Sequence, residues 1–177
     1  MNKCLNLGCG NDIIKSTDKS KWINLDKVKL NQVDIIHDIN KIPFPFKDNE
    51  FDLIKCSHVL EHVEDLEKVL IEISRITKKN GIIHINVPHF SCGVSYRDPT
   101  HKRLFSYFTF DYYTNDCFYT NVKFKIISRK LNFTRENFTF LNVIFNPLIN
   151  LSPTLYERLF CWIFPSAEII FKLKPLK

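Results

Sequence analysis

Leu5-Asn6-Leu7-Gly8-Cys9-Gly10-Asn11 is the stretch that decides the fold of this 177-residue chain. A short apolar run ends in two glycines one residue apart, as expected where a buried first strand turns sharply into a loop. Gly8 and Gly10 lack a Cβ, so the loop can take positive φ angles and a ligand can lie against its main chain. The stretch therefore predicts a ligand-binding turn after the first strand of an α/β sheet.

Acidic residues close the next two apolar runs. Asp26 follows residues 22–25 and Asp38 follows residues 33–37, and both runs have the composition of strands. Residues 12–21, between the first and second runs, are too few and too polar for a full crossover helix, so we expect a turn there.

Periodicity predicts the remaining elements. Residues 63–78 carry apolar side chains at the i, i+3, i+4, i+7 spacing of an amphipathic helix. Strands connected by right-handed crossovers predict a mostly parallel sheet with helices on both faces. We also expect strands over residues 51–56, 82–87, 123–133 and 168–173, and helical segments within 106–119 and over 153–164.

Polar residues stand at the ends of these predicted strands. In open α/β sheets, ligands bind outside the carboxyl ends of the strands, where the strand order reverses. Gly8, Asp26, Asp38, Ser57 and His89 all occupy such positions. We therefore expect these residues to meet at one edge of the sheet.

Length, cysteine usage and the N-terminus limit the class of protein. A chain of 177 residues suits one domain, residues 1–177. The six cysteines form no Cys-x-x-Cys pair, which favours free thiols in a reducing compartment. The first residues have no signal-peptide pattern, and no apolar run approaches the roughly 20 residues that span a bilayer. We expect a cytoplasmic protein.

Several segments together resemble one family, the class I S-adenosylmethionine-dependent methyltransferases of the type 11 group. The resemblance runs from about Asn2 to Tyr113 and implies a Rossmann-like, mostly parallel seven-stranded sheet whose last strand is antiparallel. Residues 1–90 would form the cofactor-binding half and residues 91–177 the acceptor-side half. The segments that carry it are Leu5–Gly10, residues 43–52, residues 57–63, residues 72–76 with Asn80-Gly81, and residues 98–103.

The resemblance implies roles for the residues at the strand ends. The loop Gly8–Asn11 would pass under the methionine part of S-adenosylmethionine. Asp26 would accept hydrogen bonds from the ribose hydroxyls, because both carboxylate oxygens are acceptors. Asp38 would bind the adenine amino group, with Ile39 beside the ring. The implied cofactor-binding residues are Leu7, Gly8, Cys9, Gly10, Asn11, Asp26, Asp38 and Ile39, with Ser57 and His58 at the sulfonium end.

Two other motifs compete with this interpretation. A dinucleotide fingerprint needs a third glycine where the chain has Ile13, so an NAD-dependent oxidoreductase is the weaker alternative. Residues 58–62 also spell the H-x-x-E-H pattern of zinc proteases. Because this segment follows a strand of a parallel sheet, we expect its side chains to complete the cofactor pocket or to cap the following helix, and we expect no metal ion.

The acceptor side is less defined. Methyl transfer needs mainly alignment, and it needs a base only where the acceptor must lose a proton. His101 and His89 are the candidates for that base, with Asp98 expected to orient His101. The charged loop after residue 91 favours an anionic or sugar-like small-molecule acceptor. The predicted substrate-contacting residues are Tyr96, Arg97, Asp98, Lys102 and Arg103.

Charge is unevenly distributed, which bears on partners. Residues 1–98 hold 14 basic and 14 acidic residues, whereas residues 99–177 hold 11 and 5 and so supply the whole net charge of +6. We expect no nucleic acid partner. The aromatic residues of the C-terminal part are expected to complete the core, and the alternative is that they contact an anionic membrane and a lipid-linked acceptor. A non-catalytic, cofactor-binding subunit of a methyltransferase complex is a further alternative.

Overall fold

A computed structural model describes residues 1–115 and 117–177, and within them one sheet contains seven strands. Across the sheet the order is β3-β2-β1-β4-β5-β7-β6. The strands are β1 (Asn2–Leu7), β2 (Ser20–Asp26), β3 (Ile35–Ile36), β4 (Phe51–Ser57), β5 (Thr77–Pro88), β6 (Lys123–Asn132) and β7 (Glu168–Leu176).

The pairing of the strands confirms the predicted Rossmann-like α/β fold. β1 is parallel to both β2 and β4, and β4 is parallel to β5. β7 is inserted between β5 and β6 and is antiparallel to both. The strand order therefore reverses beside β1, which places the topological switch point at the end of the glycine stretch.

Helical segments lie in the connections that follow β4, β5 and β6. The α-helices are α1 (Leu66–Ile76), α2 (Val94–Arg97), α3 (Asn142–Leu151) and α4 (Pro153–Leu155), and α4 continues into a π-helical turn over Tyr156–Phe160. Shorter 3-10 turns cover Leu60–His62, Thr109–Tyr113 and Thr139–Leu141.

A loop replaces the first crossover helix, as the polar composition of residues 12–21 predicts. Side chains of alternate strand residues point to opposite faces, and Asn6 of β1 points away from the face that carries core residue Leu7. Its amide donates to Asp12 O at 2.6 Å and to Asn24 Oδ1 at 3.1 Å. Ile14 N also donates to Asn24 Oδ1 at 2.9 Å. Side-chain amides thus hold the loop over the face that a helix would otherwise cover.

Helix α1 is shorter than the predicted helix over residues 63–78. Asp65 caps its N-terminus by accepting from Lys68 N at 3.1 Å, and Val63 before it is extended. At the other end Thr77 N–H donates to Ile73 O, and β5 begins at once. Lys78 pairs with Asp52 of β4 at 2.8 Å, so the predicted helix end is part of a strand.

A partly buried ion pair ties the connector that contains Pro43 and Pro45, residues 42–46, to α1. Glu72 accepts from Phe44 N at 2.7 Å and pairs with Arg75 at 2.7 Å. Arg75 in turn donates to Phe44 O and Phe46 O at 3.2 and 2.9 Å. Hydrogen bonds from Arg75 lower the pKa of the Glu72 carboxyl against the effect of burial. The connector is therefore fixed before it enters β4.

The periodicity of the sequence did not predict helix α3. Its asparagines Asn142, Asn146 and Asn150 lie four residues apart and face the end of β6. Asn150 Oδ1 accepts from Leu131 N at 2.8 Å, and Asn146 Oδ1 accepts from Phe133 N at 2.8 Å. Side-chain amides thus satisfy main-chain groups at this edge of the sheet.

The expectation that the C-terminal aromatic residues complete the core is wrong for most of them. Phe171 of β7 is fully buried and packs on Phe110 with ring centroids 4.7 Å apart. Phe138 is 68% exposed and Trp162 is 66% exposed. The reason is geometric, because only alternate residues of β7 face the core, and the other aromatic residues of this part lie in the loop and helical segments between β6 and β7, where most of their side chains are exposed.

Candidate functional site

A cleft lies at the carboxyl ends of β1 and β2, which we call the switch-point cleft. Its volume is about 330 Å³. Of the predicted residues it gathers Gly8, Gly10, Asp26, Asp38 and Ile39 at one wall and His58 at the other. The residues that line it are Gly8, Gly10, Asp26, Lys27, His37, Asp38, Ile39, Asn40, His58, Val59, His62 and Thr100.

The two glycines play different parts in this cleft. Both have left-handed backbones, with φ of +67° at Gly8 and +49° at Gly10. A Cβ on Gly8 would lie 2.3 Å from Cγ2 of Val59, so the protein itself fills that space. A Cβ on Gly10 would meet no atom within 4 Å. Gly10 therefore exposes bare main chain to a space large enough for a ligand.

Asp26 holds the glycine loop and still faces the cleft. Its Oδ2 accepts from Gly10 N at 2.8 Å and its Oδ1 accepts from Val28 N at 2.9 Å. Each carboxylate oxygen can accept more than one hydrogen bond, so both keep capacity for a bound diol. The residues present thus suit the ribose of the implied cofactor.

Asp38 and Ile39 form the far end of the same wall. Asp38 Oδ1 accepts from Asn40 N at 3.0 Å, and Asp38 O accepts from Lys41 N at 2.8 Å. This turn leaves the second carboxylate oxygen without a partner among the described hydrogen bonds. Ile39 is buried and adds an apolar surface beside it. An acceptor next to an apolar surface is what a planar base with an amino group requires.

Four of the predicted cofactor-binding residues do not line the cleft. Leu7 is buried in the core, and Asn11 is exposed on the surface of the loop. Cys9 is buried, and burial with the nearby carboxylate of Asp26 raises the pKa of its thiol to about 11. Ser57 is the last residue of β4 and lies outside the lining.

His58 stands at the opposite wall in a fixed orientation. Its Nε2 lies 3.0 Å from Glu168 Oε2, and its Nδ1 lies 3.5 Å from Glu61 Oε1. Burial lowers the pKa of His58, but the hydrogen bonds to Glu168 and Glu61 outweigh it and the pKa is raised. The positive φ of 53° at His58 is a further mark of a constrained residue.

A second pocket, which we call the Arg97–Arg135 pocket, shares the His58 wall. Its volume is about 450 Å³. Two arginines, the half-buried Cys92 and the exposed ring of Phe138 contribute to its lining. His58 lines both this pocket and the switch-point cleft, so a ligand there would adjoin the cleft at this imidazole.

The predicted acceptor loop is tied to the segment after β4. Lys102 N donates to Glu61 O at 2.7 Å, and Arg103 Nη2 donates to Glu64 O at 3.0 Å. Tyr96 is exposed, whereas Arg97 contributes to the Arg97–Arg135 pocket. Lys102 and Arg103 thus hold the loop in place rather than line either pocket.

His101 and His89, the two candidate bases, have different surroundings. Asp98 Oδ2 lies 3.9 Å from His101 Nε2, which is longer than a hydrogen bond, and Asp98 instead accepts from Thr100. His89 is fully buried, and its nitrogens contact Ser91 Oγ at 2.7 Å and Glu157 Oε1 at 3.1 Å. Because this ring has no exposed surface, the catalytic hypothesis for His89 is not retained.

Six lining residues were not among the individually predicted cofactor-binding residues, although Val59 and His62 belong to the segment 58–62 that was expected to complete the pocket. Most are neighbours of predicted ones, so widening each motif by a residue or two would have found them. Thr100 comes from a distant loop, and no spacing signal points to it. The six are Lys27, His37, Asn40, Val59, His62 and Thr100.

Known proteins share parts of this sequence. Residues 5–85 match the family described as "Methyltransferase domain". An uncharacterized methyltransferase of Schizosaccharomyces pombe is 38% identical over 60 residues, which are 33% of this chain and 21% of that protein. The segments matched in the curated relatives make up 18% and 21% of their lengths, so this chain spans about a fifth of them.

Solved structures share the fold over almost the whole chain. A methyltransferase of Archaeoglobus fulgidus described as SAM-dependent superposes with a TM-score of 0.58 at 19% identity, covering 98% of this chain and 86% of that one. A Haloferax volcanii methyltransferase in complex with the Trm112 activator gives a TM-score of 0.60 at 13% identity, covering 99% and 83%. At these identities the likeness concerns the fold.

Proposed function

We propose that this chain transfers a methyl group from S-adenosylmethionine to a bound acceptor, because residues 5–85 match the family described as "Methyltransferase domain" and the chain shares its fold with a SAM-dependent methyltransferase. The observation that carries the proposal is the switch-point cleft, where Gly10 exposes main chain between Asp26 and Asp38. The cofactor supplies an activated methyl group when bound. The chain's own residues supply alignment and exclude water.

Calorimetry with S-adenosylhomocysteine tests the cofactor site. Asp26→Ala and Asp38→Ala should each weaken binding by about 1–3 kcal/mol, because each removes a charge-assisted acceptor. Asp18→Ala is the matched control, since Asp18 is exposed and outside the cleft lining. Wild-type affinity in both cleft variants would remove the assignment.

The Arg97–Arg135 pocket is the proposed acceptor site. It meets the cleft at His58, so a group bound there lies on the sulfonium side of the cofactor. Two guanidinium groups outnumber the one carboxylate of the lining, that of Glu136, and favour an acceptor with an anionic or sugar-phosphate-like part. Phe138 lines this pocket and is also exposed, so one rim of the pocket is apolar.

The segment 138–164 supports an amphiphilic acceptor at a membrane surface. Glu157 and Arg158 are its only charged residues, and Leu151 is 84% exposed. An apolar cavity of about 300 Å³ lies between α3 and the turns that follow it, lined mainly by leucine and phenylalanine side chains. Among the described residues no helix is long and apolar enough to cross a bilayer. An exposed apolar segment beside a basic region suits peripheral binding to anionic lipid.

Vesicle flotation tests the membrane part of the proposal. The wild-type protein should float with vesicles of phosphatidylcholine and phosphatidylserine and bind less to phosphatidylcholine alone. Trp162→Ser and Leu151→Ser should reduce the floating fraction, because both side chains are exposed in the segment. Phe118→Ser, which changes an 83% exposed ring outside the segment, is the matched control. Protein that stays in solution with both vesicles would leave a soluble acceptor.

A cofactor-binding subunit without activity of its own is the second candidate function. The Haloferax volcanii neighbour is a methyltransferase in complex with an activator, and the exposed segment 138–164 offers a surface of a kind that such a partner covers. A methyl-transfer screen against lipid-linked and soluble acceptors separates the two. The subunit function would be favoured if the chain bound the cofactor but methylated none of the acceptors until a second protein was added.

A further inference from the structure

We propose that Glu61, His62 and His101 form a binding site for one divalent transition-metal ion at the edge of the switch-point cleft. One ligand atom from each residue lies within 4.8 Å of the other two. The His62 and His101 rings are 4.7 Å apart between centroids, at an angle of 67°. This arrangement differs from the expectation of no metal ion, and it shares Glu61 and His62 with the H-x-x-E-H pattern but has His101 in place of His58.

The hydrogen bonds of His62 leave its Nε2 as a free acceptor. Nδ1 of His62 lies 2.8 Å from Thr100 Oγ1. The Thr100 hydroxyl donates its proton to Asp98 Oδ1 at 2.7 Å, so its oxygen must accept from His62. His62 therefore carries its proton on Nδ1, and the lone pair on Nε2 is available to a metal.

His101 is held in the same tautomer by a different partner. Its Nδ1 lies 3.1 Å from Ser95 O, and a main-chain carbonyl can only accept. His101 Nδ1 must then be the donor, which leaves the lone pair on Nε2. Metal-binding histidines commonly hold their second nitrogen in this way, by donating it to a carbonyl or to an oxygen that is itself hydrogen-bonded.

Glu61 supplies the third acceptor, and it is almost completely buried. Its exposure is 1%, and its Oε2 has no hydrogen-bond partner among the described residues. An unpaired buried carboxylate oxygen costs free energy unless a cation or donor reaches it. Two imidazole lone pairs and this carboxylate thus share a small space, and none of the three donates to the others.

The fold, rather than sequence spacing, creates this cluster. Glu61 and His62 follow each other on the 3-10 turn after β4, whereas His101 is 39 positions later. The hydrogen bond from Lys102 N to Glu61 O, at 2.7 Å, joins the two segments next to the ligands. The carboxylate of Glu64 reinforces this junction by pairing with Lys102 Nζ at 3.1 Å.

The donor set defines the class of metal. Two imidazole nitrogens and one carboxylate suit ions such as Zn²⁺, Fe²⁺ and Co²⁺ better than Ca²⁺ or Mg²⁺, which prefer oxygen ligands. Three protein ligands leave at least one coordination position open. His62 and Thr100 both line the switch-point cleft, so the proposed site adjoins the space that an acceptor or water can enter. His58 does not complete the set, because its Nε2 is committed to Glu168.

Titration of the untagged full chain with Co²⁺, followed by visible absorption and calorimetry, tests the site. We expect saturable binding of one Co²⁺ per chain, displaced by Zn²⁺. His62→Ala and His101→Ala should each lower the affinity at least about 100-fold, because loss of a supporting partner alone typically costs about 10- to 100-fold. Thr100→Val removes such a partner and should weaken binding by about 10- to 100-fold.

His37→Ala is the matched control, since His37 lines the same cleft but lies outside the cluster. It should bind Co²⁺ as the wild type does. Thermal unfolding without metal shows whether each variant is folded, and Glu61→Gln, which keeps shape and burial, provides a further test. Absence of stoichiometric binding, or binding that is equal in wild type and both histidine variants, would overturn the proposal. Neither result depends on S-adenosylmethionine.

Discussion

Alanine at Gly10 and at Gly8 should produce opposite phenotypes, although both are glycines with positive φ in the same loop. At Gly10 the new Cβ enters empty cleft and meets no protein atom within 4 Å. The cost to folding is then the left-handed backbone alone, about 1–2 kcal/mol. At Gly8 the Cβ would lie 2.3 Å from Val59 Cγ2 and 2.9 Å from Val59 Cβ, which adds an overpacking cost of about 1–3 kcal/mol.

The predicted stability loss is therefore about 1–2 kcal/mol for Gly10→Ala and about 2–5 kcal/mol for Gly8→Ala. Ligand binding should reverse the order. The Gly10 Cβ occupies space that S-adenosylhomocysteine would use, and an equivalent overpacking cost weakens its binding by about 5- to 150-fold. Urea unfolding without ligand and calorimetry with ligand measure the two quantities separately.

A double-mutant cycle provides the control. Val59→Ala removes the atoms that clash with a Cβ at Gly8, so the pair Gly8→Ala/Val59→Ala should be more stable than the sum of the single changes predicts. Gly10→Ala/Val59→Ala should be additive within about 0.5 kcal/mol. Wild-type affinity for S-adenosylhomocysteine in Gly10→Ala would refute the reasoning, because the open space at Gly10 would then not be the ligand's.

Three further predictions concern stability and reactivity. Glu72→Gln should lower the free energy of unfolding by about 1–3 kcal/mol near neutral pH. Because the folded pKa of Glu72 is depressed, the stability that its carboxylate contributes is complete above the unfolded value near 4.5 and fades as pH falls through the folded pKa, so the stabilities of variant and wild type in urea unfolding should converge in acid. Asn150→Ala leaves Leu131 N without its side-chain acceptor and should cost about 1–3 kcal/mol in the same assay, whereas equal stability would show that water replaces the amide. Iodoacetamide labelling of the native protein, read by mass spectrometry, should modify Cys92 and Cys117 and spare the four buried cysteines until urea is added; rapid labelling of a buried thiol would contradict the packing.

Strand positions were predictable because buried strands are continuous apolar runs ended by polar residues. Two strands are exceptions: β5 begins at Thr77, within the predicted helix, and in β3 five residues have strand composition but only Ile35 and Ile36 pair with β2. An edge strand pairs on one side only, so the length of its ladder depends on the neighbour's register rather than on its own sequence. Local composition does not contain that information.

Helix α3 shows a different limit. It contains Pro147 and three asparagines, all unfavourable in the middle of a helix. Its asparagine side chains bind main-chain groups beyond the end of β6, so tertiary hydrogen bonds support a helix that propensity opposes. The spacing of Asn142, Asn146 and Asn150 by four residues is the one signal in the sequence that could have indicated it.

For the candidate site, the motifs predicted the wall made by β1, β2 and the turn after β3. Those residues are close in sequence to the ends of their own strands, so topology alone brings them together. The opposite side depends on long-range contacts, such as those between His62 and Thr100. The roles assigned to individual residues in cofactor and acceptor binding stay predictions for the experiments above.

The position of β7 between β5 and β6 has a consequence for the order in which the sheet can assemble on the ribosome. β6 is synthesised before β7, yet its partner in the sheet is β7 and not β5. While β7 is still in the exit tunnel, β5 has an open edge and β6 has no strand to pair with. The nascent chain must keep both edges apart until residues 168–176 emerge. Emergence of β7 from the exit tunnel, rather than emergence of the glycine stretch, is therefore the event that completes this sheet.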